Sequence, residues 1–140
     1  PTDNFTLHTT LGYIDADVHA PVSPTVLAPL TPDITASLTP VYTMPFATAF
    51  FVLRGVWSFR DGMFRAPTSD PGRFSQIASR ELLIFDFSYA PDDANWTVGL
   101  YGRNITDERY DNARLNTGDY VLVILSNDAS EFGVRFKTEF

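Results

Sequence analysis

From Phe132 to Phe140 the chain alternates, with Phe132, Val134, Phe136, Thr138 and Phe140 on one parity and Gly133, Arg135, Lys137 and Glu139 on the other. A period of two marks a β-strand whose faces meet different surroundings. Five earlier stretches repeat the pattern. In 5–14, Phe5, Leu7, Leu11 and Tyr13 alternate with Thr6, His8, Thr10 and Gly12. In 33–44, Ile34, Ala36, Leu38, Tyr42 and Met44 oppose Thr35, Ser37, Thr39 and Thr43, with Pro40 on the apolar parity. In 49–60, Phe51, Leu53, Trp57 and Phe59 oppose Arg54, Ser58 and Arg60. In 81–90, Leu83, Phe85, Phe87 and Tyr89 oppose Asp86 and Ser88, and in 95–104, Trp96, Val98 and Leu100 oppose Thr97, Gly99, Tyr101 and Arg103. The pattern predicts about six long strands, and it predicts that the charges of each strand share its polar face.

The connections sort into two lengths that alternate along the chain. Residues 45–48 and 91–94 are short, and Pro91-Asp92-Asp93 has the chemistry of a tight turn. Residues 15–32, 61–79 and 105 to about 119 are long and rich in Asp, Pro, Asn, Gly and Arg. In an antiparallel up-and-down meander, alternate connections fall at the same end. Tight turns are therefore expected at one end and long polar loops at the other. The aromatic residues follow the same division. Phe46, Phe50, Phe51, Tyr89, Trp96 and Phe140 belong to the short-turn end, and Tyr13, Trp57 and Phe59 to the loop end.

Alternation does not say which face meets water. A soluble sandwich hides its apolar face against a second sheet, whereas an outer-membrane barrel turns that face to lipid and its polar face to the lumen. Paired aromatic bands and short turns opposite long loops favour the barrel. The chain has no run of about 18 apolar residues, so no transmembrane helix is expected. A mean hydropathy of −0.06 suits strands that average a lipid face with a lumen face. No charged stretch followed by an apolar one marks a secretory leader.

Composition removes several classes of function. With 44% hydrophobic residues in 140, the chain can bury or insert a large apolar surface, and disorder is not expected. The absence of cysteine excludes disulfides and thiolate metal sites. A formal net charge of −7 without a Lys/Arg cluster argues against nucleic acid as a partner.

Candidate chemistry is sparse. Asp15, Asp17 and His19 alternate, but a hydrated loop explains them better than a metal ion. His8 reads as an ordinary residue of the polar face. Asn4-Phe5-Thr6, Asn95-Trp96-Thr97 and Asn104-Ile105-Thr106 fit the glycosylation rule but lie at strand ends, where a glycan would block pairing. Neither Asp92-Asp93 nor Asp107-Glu108 has a convergent His, Lys or Ser partner, so no enzyme activity, cofactor or metal is expected.

The stretch from Trp96 through Gly102, Arg103, Asn104, Ile105, Thr106 and Asp107 resembles the penultimate-strand motif of TonB-dependent outer-membrane receptors. The tail, with Phe132, Val134, Phe136 and the terminal Phe140, is similar to that family's closing strand. The earlier alternating segments match the order and spacing of its C-terminal third. The resemblance implies that residues 1–140 form the C-terminal portion of a receptor barrel, its last six of twenty-two strands, without a plug domain or TonB box. It implies import of iron-siderophore or similar complexes across the outer membrane of a Gram-negative bacterium. The implied partners are the remainder of the barrel and its plug, outer-membrane lipid and the barrel-assembly machinery, for which Phe132, Val134, Phe136 and Phe140 would be the recognition signal. TonB would be contacted only through the N-terminal region. Ser126-Asn127-Asp128-Ala129 departs from the family's approach to the last strand, and Pro40 removes one ladder hydrogen bond. A passive porin-like barrel and a soluble secreted β-sandwich binding module remain the alternative readings.

Overall fold

The computed structural model describes residues 3–20, 23–65, 76–116, 120–125 and 129–139. Within them every regular element is a β-strand. In chain order these are β1 (Phe5–Tyr13), β2 (Asp17–Ala20), β3 (Ser23–Leu27), β4 (Ile34–Phe46), β5 (Ala49–Arg60), β6 (Met63–Phe64), β7 (Gln76–Ile77), β8 (Arg80–Pro91), β9 (Trp96–Arg103), β10 (Asp111–Asn116), β11 (Val121–Leu125) and β12 (Glu131–Thr138). The six long strands form one antiparallel sheet in the order β1-β4-β5-β8-β9-β12, which is the expected meander. β1 and β12 are its two edges.

Each long connection carries a small ladder of its own, which alternation did not reveal. β2 pairs with β3, β6 with β7, and β10 with β11. The third connection therefore runs on through β11, whose Val121–Leu125 is a continuous apolar run without a period-two signal. All three connections emerge at one end. The Leu30 N–H donates to the Phe64 carbonyl at 2.6 Å, joining the first to the second, and β7 packs on β10, joining the second to the third. At the opposite end the turns are tighter than expected, since β4 runs to Phe46 and leaves Ala47 and Thr48 to reverse the chain. The Asp92 N–H donates to the Thr48 carbonyl at 2.9 Å, tying the two short turns together.

The register aligns all six apolar parities on one face. Leu11 lies opposite Ala36 and Ala36 opposite Phe59; Leu53 lies opposite Phe87, Phe87 opposite Leu100, and Leu100 opposite Val134. A slip of one residue at any ladder would have turned a whole strand over. One expectation fails here, because Glu81 lies on the apolar parity opposite Phe59 rather than with Asp86 on the polar face. It occupies the outer end of β8, where the strand leaves the sheet's apolar middle. Pro40 leaves no bulge, for the ladder keeps the same register on either side of it, from Leu38↔Trp57 to Val41↔Arg54. Gly55 faces Pro40 across that gap, and a Cβ there would lie 3.5 Å from the ring.

Nothing among the described residues covers the apolar face. Leu11 is 77% exposed, Leu100 50% and Phe136 66%, whereas among the described residues the buried apolar side chains are Ala49, Ile77 and Tyr110. Ordinary soluble domains bury a sheet's apolar face against a second layer. On this face an aromatic chain crosses five adjacent strands at the short-turn end. It runs Phe46–Phe51–Tyr89–Trp96–Phe136, with ring centroids 5.0–6.2 Å apart. Trp57 stacks on Phe59 toward the loop end at 6.3 Å. Phe50 does not join the chain, because its parity places it on the polar face opposite Ala90.

Candidate functional site on the polar face

The opposite face concentrates positive charge in a negative chain. Arg54, Arg60, Arg80, Arg103, Arg135 and Lys137 lie on it within the long strands, against Asp86 and Glu131 alone. Six cations less two carboxylates give +4, while the whole chain carries −7. The face is not uniformly polar. Val52, Val56, Leu82 and Ile84 share its parity. Toward the loop end, Leu82, Ile84, Arg103, Asn104, Ser130 and Glu131 line an open cavity of about 580 Å³ that is part apolar and part charged.

Its two carboxylates are engaged. Arg135 Nη1 reaches across β9 to Asp86 Oδ2 at 3.3 Å, and Arg54 faces Asp86 from the other side in the β5–β8 ladder. The Tyr101 hydroxyl donates to Glu131 Oε1 at 2.8 Å, and the guanidiniums of Arg103 and Arg135 each lie 5.5 Å from the Tyr101 ring. This arrangement depends on Gly133, opposite Tyr101, because a Cβ there would lie 2.6 Å from the ring. Replacing Gly133 with Ala should displace the ring and lower stability slightly through the lost hydrogen bond and cation–π contacts. Urea unfolding would measure it, and in a Tyr101→Leu background the same change should cost almost nothing. At the short-turn end, Lys137 Nζ donates to Glu139 Oε1 at 2.5 Å and holds that carboxyl below its ordinary range.

The motif residues come together as a turn rather than as a catalytic group. Trp96 opens β9, and Gly102 and Arg103 close it. Asn104 then takes a φ of 44° and Asp107 a φ of 50°, left-handed values that Asn and Asp tolerate better than most residues. The Asn104 carbonyl accepts the Asp107 N–H at 2.9 Å, closing a β-turn across Ile105 and Thr106. The Asn104 side chain, 5% exposed, clasps Glu108 twice: Oδ1 accepts its N–H and Nδ2 donates to its carbonyl, both at 3.0 Å. The Ile105 N–H donates to the Leu83 carbonyl at 3.1 Å, and Asp107 Oδ1 accepts the Ser130 N–H at 3.3 Å, so the turn is bound to β8 and to the entrance of β12.

Phe132, Val134 and Phe136 lie exposed on the apolar face of β12, with the Phe132 ring over Gly102. Phe140, like Ser126, Asn127 and Asp128, lies outside the described residues. Asp15, Asp17 and His19 do not gather into a three-ligand set among the described residues. Missed from sequence were the opposed Arg60 and Arg80 and the buried Tyr110 beneath Arg80, whose guanidinium lies 4.7 Å from the ring centroid. No period links Arg80 to Tyr110, which meet only because the turn after β9 returns the chain to the end of β8. Compared with models of known families, characterised proteins and solved structures, the chain matches none.

Proposed function

We propose that this chain is the C-terminal segment of an outer-membrane β-barrel of the TonB-dependent receptor class, which imports iron-siderophore or similar complexes. One observation carries the membrane part of the reading: six long strands hold a continuous apolar face that no second layer covers among the described residues. Strands of eight to thirteen residues bracket the 9–11 or so that a tilted barrel strand needs. The aromatic chain at the short-turn end and the Trp57–Phe59 pair toward the other fit the two interfaces of a bilayer. Trp57 lies level with Leu83, and Trp96 eight residues further along β8, so about 26 Å of strand separates them. Tilted, that distance fits within the roughly 25 Å apolar band of such barrels. The receptor class rests on the likeness of Trp96 and Gly102–Asp107 to the family motif. Under this reading β1 and β12 are the seams at which the remaining strands join, since unpaired backbone groups cost several kcal/mol each in hydrocarbon.

Refolding into vesicles that contain brominated lipids tests the membrane reading. Both tryptophans lie on the apolar face, so bromines near the headgroups should quench Trp57 and Trp96 strongly and bromines at the chain ends should quench them less. Unquenched tryptophans in a monodisperse, detergent-free protein would overturn it. The receptor class is tested by the coding sequence upstream of Pro1, where a plug domain and a TonB box are expected; a barrel without either would remove the class and leave the barrel.

A further inference from the structure

The β5–β8 ladder sets Arg60 directly opposite Arg80 at the loop end of the polar face. Cross-strand partners stand about 5 Å apart at Cβ, and like charges at that spacing repel. The carboxylates of the polar face lie elsewhere: Asp86 is six residues along β8 from Arg80 and bridges to Arg135, and Glu131 is taken by Tyr101 on β9. Among the described residues no carboxylate comes within ion-pair distance of either Arg60 or Arg80.

Both guanidiniums are nevertheless held in place. Arg60 Nη2 donates to the Ala78 carbonyl at 3.2 Å, which turns its fork, while its Nε is shielded from water and has no hydrogen-bond partner. Arg80 lies 4.7 Å from the ring centroid of Tyr110, itself 5% exposed. Arg60 Nε, like Arg65 Nε, is closed to solvent, so an incoming anion would meet the Nη groups of Arg60. A guanidinium presents its N–H donors as a planar fork, a geometry that carboxylates and phosphates accept in pairs. The surplus of positive charge on the face would draw an anion toward them.

We propose that Arg60 and Arg80 form a binding site for a small oxyanion, a carboxylate or phosphate group that bridges the two guanidiniums. The site stands on ladder register and charge alone, so it does not depend on what covers the apolar face. If the anion fails to bind while the tryptophans are still quenched by brominated lipid, the site falls and the membrane reading stays; the reverse result has the reverse meaning.

The test uses the full chain in detergent micelles, titrated with inorganic phosphate and with citrate against sodium chloride at matched ionic strength. Nitrogen-edited NMR would follow the arginine Nε–H signals. Those of Arg60 and Arg80 should shift and saturate, while those of Arg54 and Arg103 move little. R60Q and R80Q should each weaken the affinity about tenfold or more. Equal shifts at every arginine, or shifts that chloride reproduces, would mean charge screening and overturn the site. The relative response to phosphate and citrate tells which oxyanion fits better, and either one saturating at Arg60 and Arg80 supports the site. Unfolding midpoints supply a second measurement. Without anion, R60Q should raise the midpoint by relieving the opposed charges, and phosphate should raise that of the unsubstituted chain but not that of R60Q. A midpoint that R60Q lowers equally with and without phosphate would make Arg60 a structural residue and overturn the proposal.

Discussion

If the apolar face lies in lipid as proposed, Leu100→Arg should lower the stability of the protein by about 2–4 kcal/mol, because the register places Leu100 at mid-depth of that face. Leu100 pairs with Phe87 and Val134, and Phe87 lies midway between the levels of Trp57 and Trp96. At 50% exposure Leu100 already faces the surroundings rather than a core. An arginine there would place its charge in hydrocarbon on the membrane reading, whereas on an apolar face left in water it would cost little. Thr97→Arg, one strand position from Trp96 on the polar face, is the matched control and should change stability little. Gly99 cannot serve as that control, since any Cβ at this position would approach the Phe87 carbonyl oxygen to 3.2 Å, and the cost would be steric rather than electrostatic. Urea unfolding of the three proteins in vesicles measures the difference. Equal midpoints for Leu100→Arg and Thr97→Arg would mean that the apolar face is not in lipid.

The parity of Leu100 was legible in the sequence because the strands obey a local rule. Side chains of a paired strand must alternate, so Phe85, Phe87 and Tyr89 announce both a strand and a face without knowledge of any neighbour. The meander followed from connection lengths alone, since Ala47-Thr48 can join only adjacent antiparallel strands. What escaped depends on meetings between distant segments. The β10–β11 ladder in the third connection was invisible because Val121–Leu125 carries no alternation. Glu81 breaks the rule that a strand's charges share one face, since its parity is that of Leu83 and not of Asp86. The opposition of Arg60 and Arg80 needed the β5–β8 register, which is fixed by many side chains together and by neither arginine alone. Asn104 stood out only as part of a motif. Its work, a double clasp on Glu108, follows from a left-handed backbone angle that no period encodes.

That clasp carries the second large effect. Asn104→Ala should cost about 2 kcal/mol, because it leaves a part-buried N–H and a part-buried carbonyl of Glu108 without their partner and puts Ala where φ is 44°. Asn104→Asp keeps the acceptor for the Glu108 N–H but loses the donor to its carbonyl, and should cost about half as much. Thr106→Ala, at an exposed position of the same turn, should cost almost nothing. The loss should spread from the turn rather than stay within it. The β8–β9 ladder ends at Phe85↔Gly102 and is extended only by the bond from Ile105 to Leu83, while the same turn delivers Tyr110 to its place against Arg80. Hydrogen exchange should therefore quicken at Ile105 and Asp107, and phosphate should bind more weakly at Arg60 and Arg80, while exchange at Val98 and Leu100, deeper in the ladder, stays slow. If Asn104→Ala unfolds at the same urea concentration as the unsubstituted protein and protects Ile105 equally, the backbone bond between Asn104 and Asp107 is enough to hold the turn, and the side-chain clasp contributes nothing to it.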